Sequence, residues 1–277
     1  MRSTMAAALV VIGLVTGCSS EDKAASNKPT VPIAPLPSAT TPQQSATTPS
    51  APGSDQTADA ALKYLQALAT QVPETMRSAL EVAEPGSPPE GYALFRIEGQ
   101  EAARSAGQAG AGAVTVTPQP DGTITQTRPD GAGAVIFGGF KSSPAGKLTE
   151  ISGNGQDLRS RLVKPSAQPV AAFDAKLSVA AGLQSADAGA LLLVLQVETG
   201  AKPLEVQISA SSYTGADGQV QNPDPKKSSF DKATINPGST ARVIVAVPGA
   251  APGGRFVASI TVEGSEPEKP ELPVLSY

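Results

Sequence analysis

Cys18 is the only cysteine among 277 residues, so no disulfide within the chain can staple its fold. Small domains without a large core commonly need such staples. This chain must instead bury enough apolar surface to hold itself together, and the alternation in its second half shows how. Phe173, Ala175, Leu177 and Val179 alternate with Asp174, Lys176 and Ser178. Leu204, Val206, Ile208 and Ala210 alternate in the same way with Glu205, Gln207 and Ser209. Side chains of a strand point by turns to its two faces, so each run predicts a half-buried strand. Ala190 to Val197, ALLLVLQV, is apolar but for Gln196 and predicts a central strand, far too short to cross a membrane. TARVIVAV and GRFVASITVE repeat the alternation. Gly, Pro and Asp turns separate these runs and no helical period intervenes, which predicts a β-sandwich over 170–264.

The preceding part has a different period. Leu62, Leu65, Leu68, Ala69 and Val72 recur at three- and four-residue steps, predicting an amphipathic helix from near Asp55. Pro73 ends or kinks it, or opens a second helix, PETMRSALEVAEP, with Met76, Leu80 and Ala83 on one side. PGSPPEG (Pro85 to Gly91) reads as a break. YALFRIEGQEAARSAG fits a helix through Leu94 and Ile97 and a strand through Ala93, Phe95 and Ile97; the helix formers of Glu101 to Arg104 favour the helix. Then AVTVTPQPDGTITQTRPDGAGAVIFGGF sets Asp121-Gly122 and Asp130-Gly131 between β-branched runs, which predicts hairpins, because glycine accepts the positive φ of tight turns. GKLTEISGNGQDLRSRLV adds a strand and a turn at Gly153-Asn154-Gly155. Residues 57–164 therefore read as an α+β domain, helices on one face of a small antiparallel meander. A linker at 165–169 leads to the sandwich, and 265–277 is an acidic, Pro-rich tail.

Arg2, an apolar core from Met5 to Val15 and small residues up to Gly17 have the layout of a secretory signal over 1–17. The apolar run is well short of the roughly 20 residues a spanning helix needs. Val15-Thr16-Gly17-Cys18 resembles the lipobox of bacterial lipoproteins, with Val15 where leucine is commonest. That resemblance implies cleavage after Gly17, a diacylglyceryl group on the Cys18 sulfur and, often, acylation of the new amino group. Two acyl chains suffice for stable anchoring, since each buried methylene contributes about 0.8 kcal/mol. It places the protein on the outer face of the plasma membrane, in the cell envelope. Residues 18–56 hold seven prolines (Pro29, Pro32, Pro35, Pro37, Pro42, Pro49, Pro52) among Ser, Thr, Ala and Gln. Such a stretch has little to bury and reads as a disordered tether, its ends about 35 Å apart as a random coil.

A second resemblance covers the C-terminal half. LLLVLQVETGAKPLEVQISASSYTGADGQV and INPGSTARVIVAVPGAAPGGRFVASITV resemble the immunoglobulin-like modules of secreted and lipid-anchored proteins of Gram-positive bacteria. The matching punctuation is a D-G turn at Asp217-Gly218, a P-G turn at Pro237-Gly238 and a strand ending in Val247-Pro248. The absence of tryptophan and of a cysteine pair excludes an antibody-type core. The Ala/Gly/Pro-rich chain, with PETM…PGSP and GKLTEISGNGQDLRSRL, is also similar to lipoproteins of actinobacteria. These resemblances imply fold and location and carry over no functional residue except Cys18.

Chemistry is sparsely written. There is no histidine, which removes Ser-His-Asp triads, Cys-His dyads and imidazole metal sites. S-x-x-K occurs at Ser20 to Lys23 and at Ser229 to Lys232, without the K-T-G or S-D-N that accompanies it in penicillin-recognising enzymes. The glycine-rich runs Gly107 to Gly112 and Gly131 to Gly139 lack the spacing of a phosphate loop. Asp217 and Asp224, in ADGQVQNPD, offer oxygens to calcium without the dense alternation of a calcium loop. A net charge of −4 with no long basic cluster argues against nucleic acid. No catalytic, metal or cofactor-binding residue is expected. The expected role is non-enzymatic contact with an envelope protein or the cell wall, the membrane being reached through Cys18. The alternative is a lipid or small-molecule pocket between the helices and sheet of 57–164.

Overall fold

A computed structural model describes residues 52–107, 112–129, 133–186 and 189–277. Cys18, the S-x-x-K at Ser20 to Lys23, most of Gly107 to Gly112 and the Asp130-Gly131 turn lie outside the described residues. The described chain is mostly antiparallel sheet, with few helices.

Helices α1 (Pro52–Ala69), α2 (Pro73–Met76), α3 (Ser78–Val82) and α4 (Pro88–Ser105) come first, and proline opens three of them. A proline there gives up an N–H that would have no intrahelical acceptor. Hence Pro52 to Gln56, read above as tether, belong to α1, and Pro88 and Pro89, read as a break, begin α4. Ser87 caps α4 by accepting from the Glu90 N–H at 3.5 Å, while Glu90 reaches back to the Gly86 N–H at 2.7 Å. The ambiguous segment from Tyr92 is thus helical, and much of α4, including Tyr92, Ala93, Ile97 and Gly99, is buried.

Strands β1 (Thr115–Pro118), β2 (Ile124–Thr127), β3 (Ala134–Ser142), β4 (Leu148–Gly153) and β5 (Gln156–Asp157) form a meander in chain order. Asn154 (φ 49°) and Gly155 (φ 75°) make the two-residue turn from β4 to β5, for which positive φ at both positions suits the strand twist. Ile124, Phe137 and Ile151 from the inner face share a core with Tyr64, Leu65 and Leu68 of α1 and Tyr92 and Phe95 of α4.

Ten further strands follow: β6 (Leu162–Val163), β7 (Val170–Ala172), β8 (Ala175–Gln184), β9 (Ala190–Glu198), β10 (Leu204–Thr214), β11 (Val220–Gln221), β12 (Lys232–Ile235), β13 (Thr240–Pro248), β14 (Gly254–Val262) and β15 (Glu271–Val274). One sheet runs β13-β9-β8-β6 with β7 beside β8; the other runs β11-β10-β14-β15 with β12 beside β10. The two face each other across a core that includes Leu177, Leu193, Val206, Val245 and Phe256. The first sheet is covered on its other face as well. Ala181, Leu183, Val194 and Ile244 join the core of α1 and α4. ALLLVLQV is apolar on both sides because β9 packs on both: Leu191, Leu193 and Leu195 toward the second sheet, Val194 toward α4.

Two register shifts redirect side chains. In β8 the shift between Val179 and Ala181 lets Val179 face the second sheet and Ala181 face the helices. In β10 the shift lies between Gln207 and Ser212, so Ala210, expected inward with Ile208, is exposed. There Ser211 is buried, donating to the Gln207 carbonyl at 2.8 Å and accepting from the Ser259 N–H at 3.0 Å. Phe173, expected in a strand, sits at φ 52° in the turn between β7 and β8. Within 165–169, expected as a linker, Ser166 runs along β8, its N–H donating to the Val179 carbonyl at 2.8 Å and its hydroxyl accepting from the Val179 N–H at 3.0 Å. The tail folds back too: β15 pairs with β14, and Leu272 and Val274 enter the sandwich core.

Candidate binding surface

Between α4 and the meander the space is nearly closed. Tyr92, Phe137, Leu158, Arg161 and Leu183 surround about 10 Å³, roughly the room of a single water. The Tyr92 and Phe137 rings lie 5.7 Å apart and fill what a wider pocket would need.

The interface of α4 with the first sheet carries charge at its margin. Arg242 of β13 pairs with Glu98 of α4 and, at 3.0 Å, with Glu101. Glu101 also accepts from Arg77 at 2.5 Å. Glu98 is only 9% exposed, so its charge depends on these partners. No local pattern in the sequence joins residues this far apart. Farther out, Arg104 bonds Glu74 at 2.7 Å, and this hydrogen-bonded guanidinium holds the Glu74 carboxyl down to about 2.

The C-terminal residue spans the same boundary. Lys164 N–H donates to the Leu275 carbonyl at 2.8 Å, and Tyr277 then lies against Gly91, where an added Cβ would come 2.5 Å from the ring. Burial, then the Glu90 charge, pushes the Tyr277 hydroxyl up from 10.0 to about 12. A raised acid is one the fold keeps neutral. Its stabilising contribution is complete below pH 10.0 and is lost as pH rises through about 12. Alkaline melting curves should therefore steepen in that window, less so in Tyr277→Phe; identical wild-type and variant curves would refute the link.

The candidate chemical residues turn out to hold structure. Ser229 of the second S-x-x-K accepts the Ile244 N–H at 2.9 Å, and Lys232 pairs with Glu205 at 2.7 Å. Asp217 accepts the Gln219 N–H at 3.0 Å and Asp224 the Lys226 N–H at 3.0 Å, each closing its own turn. In the run ending at Gly139, Gly138 lets the Thr123 methyl approach and Gly139 (φ 61°) sits over Ser152, both in β3. Among the described residues, no group of three or more His, Cys, Asp or Glu stands where it could hold a metal ion.

Three strand edges, those of β13, β1 and β15, are guarded. The outer edge of β13 is filled by residues 224–229: the Asp224 and Ser229 N–H groups donate to the Ala246 and Ile244 carbonyls at 2.8 and 2.9 Å. The Ser228 hydroxyl in turn accepts from the Ala246 N–H at 3.0 Å. On β1, the Gln119-to-Thr123 bond puts the Thr115 and Thr117 backbone toward β2, leaving Val116 and Pro118 outward. On β15, Glu271 and Pro273 point outward by the same alternation. A proline cannot donate, so Pro118 and Pro273 blunt both edges against strand addition.

The outer face of the meander is open. Thr115 pairs across from Thr127 and Thr117 from Thr125, with Ile136 beside Thr125. Gln126, between Thr125 and Thr127, points inward to the Leu65 carbonyl at 3.0 Å, which places the threonines on the opposite face. Ile136 is 48% exposed there. The face is uncharged along these rows, its hydroxyls and methyls offering both hydrogen bonds and apolar contact. Compared with family models, curated proteins and solved structures, the chain gives no match.

Proposed function

We propose that this chain is a cell-envelope lipoprotein, cleaved after Gly17 and lipidated on Cys18, that acts without catalysis by contact with an envelope protein or the cell wall. The helices and meander form its α+β part, and the two facing sheets form an immunoglobulin-like sandwich. The observation that carries the anchor is the position of the single cysteine, at the junction of an apolar leader and a Pro-rich stretch. Contact through a surface, rather than carriage of a lipid or small molecule between helices and sheet, is supported by the closure of that space around Tyr92 and Phe137. The Thr-lined face around Ile136 is the surface we assign to contact, since Ile136 is exposed there and the edges of β1, β13 and β15 are blunted.

A photo-crosslinking residue at position 136 tests this in intact cells. A discrete adduct at 136, missing from the same residue at Val220 on the sandwich, is expected; its sensitivity to protease or to a wall-degrading enzyme identifies the partner class. No adduct at 136, with lipid adducts from position 92 instead, would favour the pocket reading.

A further inference from the structure

The chain has four asparagines, Asn27, Asn154, Asn222 and Asn236. Those at 222 and 236 are exposed, as is Asn154, but each precedes a proline (Pro223, Pro237), whose nitrogen carries no hydrogen. Among the described residues, only Asn154 is followed by a residue with a backbone N–H, and that residue is glycine. We propose that Asn154 is a site of spontaneous covalent modification, converting through a cyclic imide to aspartate and isoaspartate.

The step needs only water. The Gly155 amide gives its proton to solvent base, and its nitrogen lone pair forms a bond to the Asn154 Cγ. The Cγ–Nδ2 bond then breaks and Nδ2, taking a proton from water, leaves as ammonia, which completes a five-membered imide. Water adds to either imide carbonyl and reopens the ring to aspartate or to isoaspartate. No oxidant, reductant or further partner is required.

Three features of the turn favour this. Gly155 is exposed and carries no side chain to shield its amide nitrogen, and even an added Cβ there would meet nothing within 4 Å. The Ile136 N–H donates to the Asn154 Oδ1 at 2.9 Å, the atom on which negative charge develops when Cγ is attacked. Finally, the turn closes only the two-residue strand β5, paired through Ser152↔Asp157 and Gly153↔Gln156, so the opening needed to align nitrogen and Cγ is local. Conversion puts a negative charge beside Ile136. The isoaspartyl form also lengthens the backbone by one methylene in a turn whose Asn154 N–H bonds the Ile136 carbonyl at 2.7 Å.

The test holds the purified full-length protein, folded, at neutral and at mildly alkaline pH and follows each asparagine peptide by mass spectrometry. The Asn154 peptide should gain the mass of a single deamidation, faster at the higher pH, with isoaspartate exceeding aspartate by fragment-ion assignment. Peptides with Asn222 and Asn236 should stay unchanged, and exchange at Gln156 and Asp157 should quicken in the converted fraction. Were Asn154 to persist in the folded protein while converting in urea, the bonds to Ile136 would be protective and the proposal wrong. Equal conversion at Asn222 or Asn236 would overturn it as well.

Discussion

Val194→Asp is expected to abolish folding of the whole chain, helices included. Val194 is fully buried in β9, on the face that meets α4. A carboxylate there would lie among the apolar side chains of that core, and Arg242 of the same sheet is already held by Glu98 and Glu101. An unpaired buried charge costs several kcal/mol even after relaxation, and a carboxyl that neutralises still leaves buried oxygens short of hydrogen bonds. Whole domains are stable by only about 5–15 kcal/mol. Because the same sheet serves the sandwich core through Leu193 and Leu195, the damage should not stay on the helical side. Far-UV circular dichroism and recovery of soluble protein read the outcome, with Ile136→Asp on the open face of the meander as the tolerated control. A soluble Val194→Asp protein that loses its helices yet keeps a cooperative β transition would show that helices and sandwich fold independently.

Cys18→Ser should have an all-or-none effect of another kind. Thioether formation needs the sulfur, and a hydroxyl cannot replace it, so fatty-acid labelling of the protein should fall to background. Without two acyl chains the remaining attraction to the membrane is weak, since the chain has a net charge of −4 and no basic cluster for anionic headgroups. The variant should accumulate uncleaved or be recovered in the soluble fraction. Full labelling of Cys18→Ser would refute the lipid anchor.

Local features of this fold were readable and nonlocal ones were not. The turn at Asn154-Gly155 announces itself, because few residue pairs accept positive φ twice. ALLLVLQV announces a strand buried on both sides, though not that one cover is a helix from early in the chain. Ala210 and Phe173 were misplaced because alternation assumes an unbroken register, and a bulge or tight turn costs a single residue that leaves no compositional mark. Pro52 looked like tether, and Pro88 and Pro89 like a break, yet all three stand at helix starts, since the same missing N–H serves either purpose. For the candidate surface, TVTP and TITQT were legible as strands. That their threonines lie together on an open face follows only once the register and the inward Gln126 are known. The tail ELPVLSY hid its role for a simpler reason: only Leu272 and Val274 of its apolar residues enter the core between the sheets, Leu275 staying exposed, and the partner strand β14 fixes their direction.

The most direct measurement is mass spectrometry of the amino-terminal peptide of protein isolated from its native membrane. A mature chain that begins at Cys18 and carries a diacylglyceryl thioether is expected. A chain retaining Gly17 with a free Cys18 thiol would contradict it.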